Sequence, residues 1–167
     1  MGEDDPDGDG SFEPADDRTG GQPDRLPFPV QADPVEDLSG GRLFGLTVDT
    51  MTEEPVREAL AATERDFALP SLLVNGVGGG RGTSPLVEQD LQSFEFVLKL
   101  NLVAGLMVPT KVVCKHWIAK GVKGAIINMA SMGSYVPLSG VWAYDAAKAG
   151  VLNLTMAAAK EFAPHGI

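Results

Sequence analysis

Residues 125–150 read Ala125-Ile-Ile-Asn-Met-Ala-Ser131-Met-Gly-Ser-Tyr135-Val-Pro-Leu-Ser-Gly-Val-Trp-Ala-Tyr144-Asp-Ala-Ala-Lys148-Ala-Gly150. The apolar run ending at Asn128 predicts a buried strand. The Gly/Ser/Pro-rich segment after it predicts a loop, and the alanine-rich segment opening near Trp142 predicts a helix. Ser131 falls just past the strand end, while Tyr144 and Lys148, four residues apart, share one helix face. A hydroxyl, a phenol and an ammonium can therefore converge at one point.

The segments upstream decide the class. Arg42–Val48 reads as a strand ending at Asp49, and Thr52 as the cap of a helix running to about Phe67, with Val56, Leu60 and Thr63 on one stripe. Residues 71–75 form a second apolar strand, followed by the Gly-rich loop Asn75-Gly-Val-Gly-Gly-Gly-Arg-Gly. Strand, helix, strand is the signature of a parallel sheet and an α/β fold. The glycines do not match the dinucleotide fingerprint: from Gly76 or Gly78 its third position falls on Arg81 or Thr83. The loop is either plain and mobile or backbone able to lie against a flat ligand group, with Asn75 bracing the strand end.

A long helix is predicted over Leu91 to about Trp117, with Phe94, Val97, Leu98, Asn101, Leu102 and Gly105 on one face. Asn101 is a polar group on an apolar stripe and must be hydrogen-bonded there. Pro109 is expected to kink or split this helix. Residues 124–128 are the third strand, and Ala143 to about Phe162 the last helix. Its small-residue face (Ala143, Ala147, Gly150, Val151) suits self-association. His116 and His165 read as surface or helix-end residues, and no His/Cys/Asp cluster has metal-ligand spacing.

Charge is uneven along the chain. Residues 1–25 hold nine acids against Arg18 and Arg25, a net −7 of the chain's −10, which leaves a mildly acidic body with no electrostatic case for nucleic acid or an anionic membrane. Residues 1–40, rich in Asp, Gly and Pro, read as a disordered acidic leader, and 41–167 as the folded domain. Within the leader, Asp5-x-Asp7-x-Asp9-Gly10 and Asp16 follow calcium-loop spacing, but no helices flank them and a solvated tail fits better. Thr19-Gly20-Gly21 follows no strand and cannot cradle a phosphate. The amino terminus lacks the basic-then-apolar pattern of a signal peptide, and the apolar run Leu100–Thr110 is far short of the roughly 20 residues of a membrane span. The lone Cys114 fits a buried thiol in a reducing compartment, so a cytoplasmic protein is expected.

With Ser131 13 residues before Tyr144, Lys148 four after it, Asn101 on the preceding helix and Asn75 closing the preceding strand, the sequence resembles the short-chain dehydrogenase/reductase family from about Gly41 to Ile167. The resemblance implies a partial doubly wound, Rossmann-like sheet. It implies that Ser131, Tyr144 and Lys148 form a catalytic triad with Asn101 as fourth member, and that Asp49, Asn75, Gly76, Gly78, Tyr144 and Lys148 contact the cofactor, NAD or NADP. Gly76 and Val77 depart from the family's Asn-Asn-Ala-Gly element. Asn75-Gly-Val-Gly-Gly, Phe94-Glu-Phe-Val and Ile127-Asn-Met-Ala-Ser-Met are similar to sugar-acid oxidoreductases of the mannonate or fructuronate type.

The chemistry is coherent on its own terms. A free phenol ionises only at about pH 10 and is a poor proton couple near neutrality. An ammonium on the same face favours the phenolate, while Ser131 can hold the substrate oxygen. The implied partners are a small carbonyl or alcohol substrate, sugar acid or polyol included, and further copies of the chain through the helices at 91–117 and 143–162.

Against the family's strand order 3-2-1-4-5-6-7, the three strands here correspond to the third, fourth and fifth. The first two, with the phosphate turn and the residues that tell NAD from NADP, are not in this sequence. The third strand is expected either to leave a gap or to shift beside the fourth. An incomplete copy of a longer enzyme, weak in dinucleotide binding, is therefore expected, and the alternative is an inactive fragment or oligomerisation module of the same fold.

Overall fold

Two short parallel strands form the frame of the protein, whose computed structural model describes residues 45–167. The acidic leader, the division at residue 40, the calcium-type spacing and Thr19-Gly20-Gly21 lie outside the described residues. Strands β1 (Leu72–Asn75) and β2 (Ala125–Asn128) pair in register, Leu72 opposite Ala125 and Asn75 opposite Asn128. A parallel pair needs a crossover. It is provided by α2, a continuous helix over Leu91–Lys120. Helix α1 (Glu53–Asp66) precedes β1, and α3 (Trp142–Phe162) follows β2.

One sheet face carries the core. Leu73 and Ile126 pack against Val112, Val113, Cys114 and Trp117 of α2, with Val56 and Leu60 of α1 closing the cluster along the predicted stripe. Trp117 is fully buried, and its indole nitrogen donates to Pro70 O at 2.6 Å, which satisfies the one polar atom its burial would strand. Cys114 lies in the same core. Burial first, then the Glu161 charge, pushes its thiol up to about 11, so it is inert as a nucleophile at neutral pH. On the opposite sheet face, Leu72, Val74 and Ile127 remain about half exposed.

Helices α1 and α2 are also clipped together at the surface. Glu53 pairs with Lys111, and Glu64 with Lys120 and His116. Hydrogen bonds from Lys111 and Lys120 respectively hold these two carboxyls below their usual range. His116, predicted as a surface or helix-end residue, is instead half-buried against Glu64 at 2.9 Å.

Three expectations need correction. Residues 45–49 are not a strand and do not shift to pair with β1: among the described residues the sheet has two strands only, and Val48 packs its side chain on the core. An extended segment becomes a strand only through a hydrogen-bonded neighbour. Pro109 does not split α2. The helix widens into a π-helical stretch over Lys99–Met107 just before it, where the Val108 N–H reaches back to Val103 O. Proline has no N–H and its ring crowds the carbonyl four residues back, and the wider turn absorbs both problems. Finally, the small-residue face of α3 is turned inward: Ala143, Ala147 and Val151 are buried, and Gly150 lies against Leu102.

By length and composition α2 could cross a membrane, yet half of its most apolar stretch is buried inside the protein. Its apolar face is already used by α1 and the sheet. Replacing Trp117 with Ala is expected to cost about 3–5 kcal/mol, a large part of the ~5–15 kcal/mol that a domain has. Urea unfolding followed by far-UV circular dichroism would show this, and an unchanged midpoint would refute the core assignment.

Candidate active site

The ends of both strands and the first turns of α3 meet on one side of the molecule. Asn75 and Asn128 terminate the paired strands, and Asn75 Nδ2 donates to Asn128 Oδ1 at 2.8 Å and to Thr110 Oγ1 at 3.0 Å. Asn128 in turn donates to Thr155 Oγ1, which donates to Val151 O. This relay, buried at Asn75 and Thr110 and partly buried at Asn128 and Thr155, joins α2, both strands and α3. The Asn75 side chain is thus engaged in bracing the strand end.

Asn101 sits in the π-helical stretch, 1% exposed. Its Nδ2 donates to Gly79 O and to Val97 O, both at 2.8 Å, and its Oδ1 accepts from Gly79 N at 3.1 Å. The amide that the sequence required to be satisfied is satisfied by the Gly-rich loop. That contact explains two glycines. A Cβ at Gly78 would collide with Asn101 Oδ1 and lie 3.2 Å from Lys148 Nζ, and one at Gly105 would collide with Val77 O. Only bare backbone fits between the helix and the loop.

Lys148 is 5% exposed, and its ammonium donates to Met129 O at 2.8 Å. It lies 5.7 Å from the centre of the Tyr144 ring. An ammonium has three donors, and a single acceptor serves this one among the described residues. Tyr144 is half-buried, and a Cβ at Gly80 would touch its Cβ at 3.6 Å. Tyr135, the other tyrosine, is 70% exposed.

Ser131 caps a short turn over Met132–Ser134. Its Oγ accepts from Gly133 N at 3.2 Å, and its own N–H donates to Ser134 Oγ at 3.3 Å. The Ser131 O–H remains able to donate. Its loop is tied to α3 by Asp145, a residue that the motif spacing did not single out beyond its place next to Tyr144. Asp145 is buried, its Oδ2 accepts from Leu138 N at 2.6 Å, and a Cβ at Gly133 would collide with its Oδ1. One carboxylate thereby bonds the Leu138 end of the loop carrying Ser131 to the turn carrying Tyr144, and packs closely against Gly133 at its other end.

Of the predicted residues, Asn101, Lys148 and Tyr144 gather around Gly78–Gly80, while Ser131 lies on the loop that Asp145 bonds to the first turn of α3. Asp49 does not join this cluster. It is exposed on the turn entering α1, where its carboxylate accepts from Met51 N at 2.9 Å. Gly76 has open space beside it. No group of three or more His, Cys, Asp or Glu that could hold a metal ion occurs among the described residues.

A two-strand α/β core with these groups at the carboxyl ends of its strands is part of a nucleotide-type fold. The sequence pattern of the short chain dehydrogenase family matches residues 30–167, and the chain belongs to that family. An uncharacterized oxidoreductase of Haemophilus influenzae is 32% identical, with 77% of this chain and 50% of that protein covered. The 2-(R)-hydroxypropyl-CoM dehydrogenase of Xanthobacter autotrophicus is also 32% identical, covering 75% and 50%. Among solved structures, an NAD+-bound xylitol dehydrogenase superposes with a TM-score of 0.67 at 28% identity, covering 72% of this chain and 45% of that one. An NADPH-bound short chain oxidoreductase of Pseudomonas aeruginosa gives 0.65 at 30%, covering 71% and 45%. The chain spans about half the length of the relatives it matches.

If Asp145 holds the Ser131 loop as described, Asp145→Asn keeps an acceptor for Leu138 N–H and should be tolerated, whereas Asp145→Ala leaves that amide unpaired at a cost of about 1–3 kcal/mol. Hydrogen exchange at the Leu138 amide separates the two: protection should survive in Asn and be lost in Ala, and equal protection in both would contradict the clamp.

Proposed function

We propose that this chain carries the proton-handling site of an NAD- or NADP-dependent oxidoreductase that interconverts a carbonyl and an alcohol. The observation that supports this most is the buried Lys148 ammonium, held by one carbonyl beside the Tyr144 ring, with two donors left for ligand. A nicotinamide dinucleotide, when bound, supplies or takes up the hydride. The rest is done by the chain's own groups. Ser131 donates a hydrogen bond to the substrate oxygen and fixes its position. Tyr144 gives its phenolic proton to that oxygen in the reducing direction and takes it back in the oxidising one. Lys148 compensates the negative charge that Tyr144 carries in between, and holds the ribose end of the dinucleotide. Asn101 keeps Gly78 and Gly79 in place against Lys148, so that bare backbone faces the same ligand.

The support is better at the nicotinamide end, where the buried Lys148 ammonium keeps donors unused among the described residues and Gly78 lets the loop backbone pack directly against Asn101 and Lys148. It is poorer at the adenine end, where Asp49 stands apart among the described residues. Weak dinucleotide affinity is therefore part of the proposal, and NAD and NADP remain equal candidates. The substrate class proposed is a small polyol or sugar acid, and the compartment the cytoplasm, in keeping with a single buried thiol.

A homo-oligomer through α2 and α3 is proposed as well, by a different face from the small-residue stripe. An apolar groove of about 640 Å³ runs between these helices, bordered by Leu106, Met107, Ile118, Leu154 and Phe162. Met107 and Ile118 are 47% and 38% exposed. The same groove supports the second reading, an assembly module without turnover.

Tyr144→Phe is expected to lower turnover of NADH or NADPH with a carbonyl panel by at least ~100-fold while the far-UV spectrum stays unchanged. A substantial residual rate would defeat the assignment. For assembly, sedimentation equilibrium should show dimers or larger species that Met107→Glu converts to monomers. A monomeric wild-type chain at tens of micromolar would remove that proposal.

A further inference from the structure

The sheet ends in an open edge on the β1 side. Ser71 O and Asn75 O accept from Ala125 N at 2.9 Å and Met129 N at 3.1 Å, so by alternation along the strand the N–H and C=O groups of Leu72 and Val74 point the other way, away from β2. Among the described residues no strand pairs with them, and the sheet face carrying the Leu72, Val74 and Ile127 side chains is half-exposed as well. An unpaired edge beside an uncovered apolar face is a template for one more strand. The outer edge of β2 is less free: Gly124 N donates to Gly166 O at 3.3 Å, and Ile167 borders Ile126.

The chain itself contains a segment of matching pattern. Residues 26–30 read Leu-Pro-Phe-Pro-Val, the one place in residues 1–40 where three large apolar side chains alternate, and no charge falls between Arg25 and Asp33. Leu26 and Phe28 each precede a proline, which biases both toward extended backbone. In a strand the backbone groups of successive residues face opposite edges. Leu26, Phe28 and Val30 therefore offer donors along one edge, and Pro27 and Pro29, which have none, occupy the other. Such a strand bonds along one side only and closes the sheet it joins. The described chain enters beside the start of β1, where Val48 packs on the same core cluster as Leu69 and Leu73. From Val30 to Val48 the extended chain reaches roughly 60 Å, ample to turn back along so short a strand as β1.

We infer that residues 26–30 add to the outer edge of β1 as a third strand, running antiparallel to it. The direction follows from two constraints: the prolines face away from β1, and the three apolar side chains lie on the uncovered sheet face. In an antiparallel pair, opposed residues that exchange hydrogen bonds share a face, so Phe28 and its neighbours come to lie beside Leu72 and Val74. A parallel strand bonded through the same residues would turn them to the other face. The pair already present behaves in that way: Ile127, whose backbone faces β1, has its side chain on the open face, while Leu73, whose backbone faces β2, packs on the core. The inference concerns what completes the sheet and does not depend on the proposed reaction.

Hydrogen exchange of the full chain, read by 15N-resolved NMR, tests this. The Leu72 and Val74 amides should exchange at least roughly tenfold more slowly in the wild type than in Phe28→Asp, and dilution of the protein should leave their rates unchanged. Leu73 and Asn75, whose N–H groups face β2, are the internal controls and should be protected equally in both proteins. In the wild type alone, nuclear Overhauser contacts from the Phe28 ring should reach methyl groups of Leu72, Val74 or Ile127. The inference is overturned if Leu72 and Val74 exchange freely in the wild type, or if Phe28→Asp leaves their protection intact. Protection that disappears on dilution would overturn it by assigning the edge to a second copy of the chain. Contacts from the Phe28 ring to Leu73 in place of Leu72 and Val74 would overturn the antiparallel strand.

Discussion

The bridge between Asn101 and Gly79 is the contact on which the site depends. A primary amide offers a donor and an acceptor on one planar group, and here both are matched to the N–H and C=O of a single residue. Such a pairing fixes position and orientation together. It sets how close the Gly-rich loop comes to α2, and that closeness requires Gly105 on the helix and Gly78 on the loop. Through Gly78 it sets what stands over Lys148, and through Gly80 what stands beside Tyr144. Because Asn101 is almost fully buried, losing either half of the bridge would leave a polar group unpaired in the core. The interaction is therefore strongly favoured as a unit.

A second constraint holds the strand ends. Register places Asn75 opposite Asn128, and their side chains continue the pairing beyond the backbone into Thr110 on one side and Thr155 on the other. A slip by one residue would turn the asparagines to the other face of the sheet and break the relay at both ends. The loops that leave these strands, one carrying Gly76–Gly80 and the other Ser131, therefore start from a rigid line. Asp145 completes the arrangement from the helix side.

Much of this was legible in the residues. The apolar runs at 72–75 and 125–128, bounded by Asn and Gly, form the strands, and an amide on an apolar stripe pointed to Asn101 as a buried group in need of partners. Four-residue spacing put Tyr144 and Lys148 on one face, and the contact between ring and ammonium agrees with it. What was not legible depends on long-range company. Residues 45–48 have the composition of a strand but no neighbour to pair with among the described residues. The small face of α3 reads equally well as inward or outward until Leu102 is seen lying on Gly150. Asp145 looks like an ordinary acid in a first helical turn, because its partners at 133 and 138 are defined only by how the loop folds back. The π-helical stretch escaped because a regular helical period was assumed throughout α2.

That stretch has a consequence for how such chains can change over time. A π turn holds one residue more than an α turn, so removing a single residue from Lys99–Met107 could restore a regular helix without breaking it. The helix would survive, but everything before the deletion would rotate relative to everything after it. Asn101 would be carried off its bond to Gly79 while Trp117 stayed in the core. In this segment the number of residues between Lys99 and Met107 therefore sets where Asn101 stands relative to Gly79, as well as which face of the first part of α2, Val97 included, meets the rest of the protein.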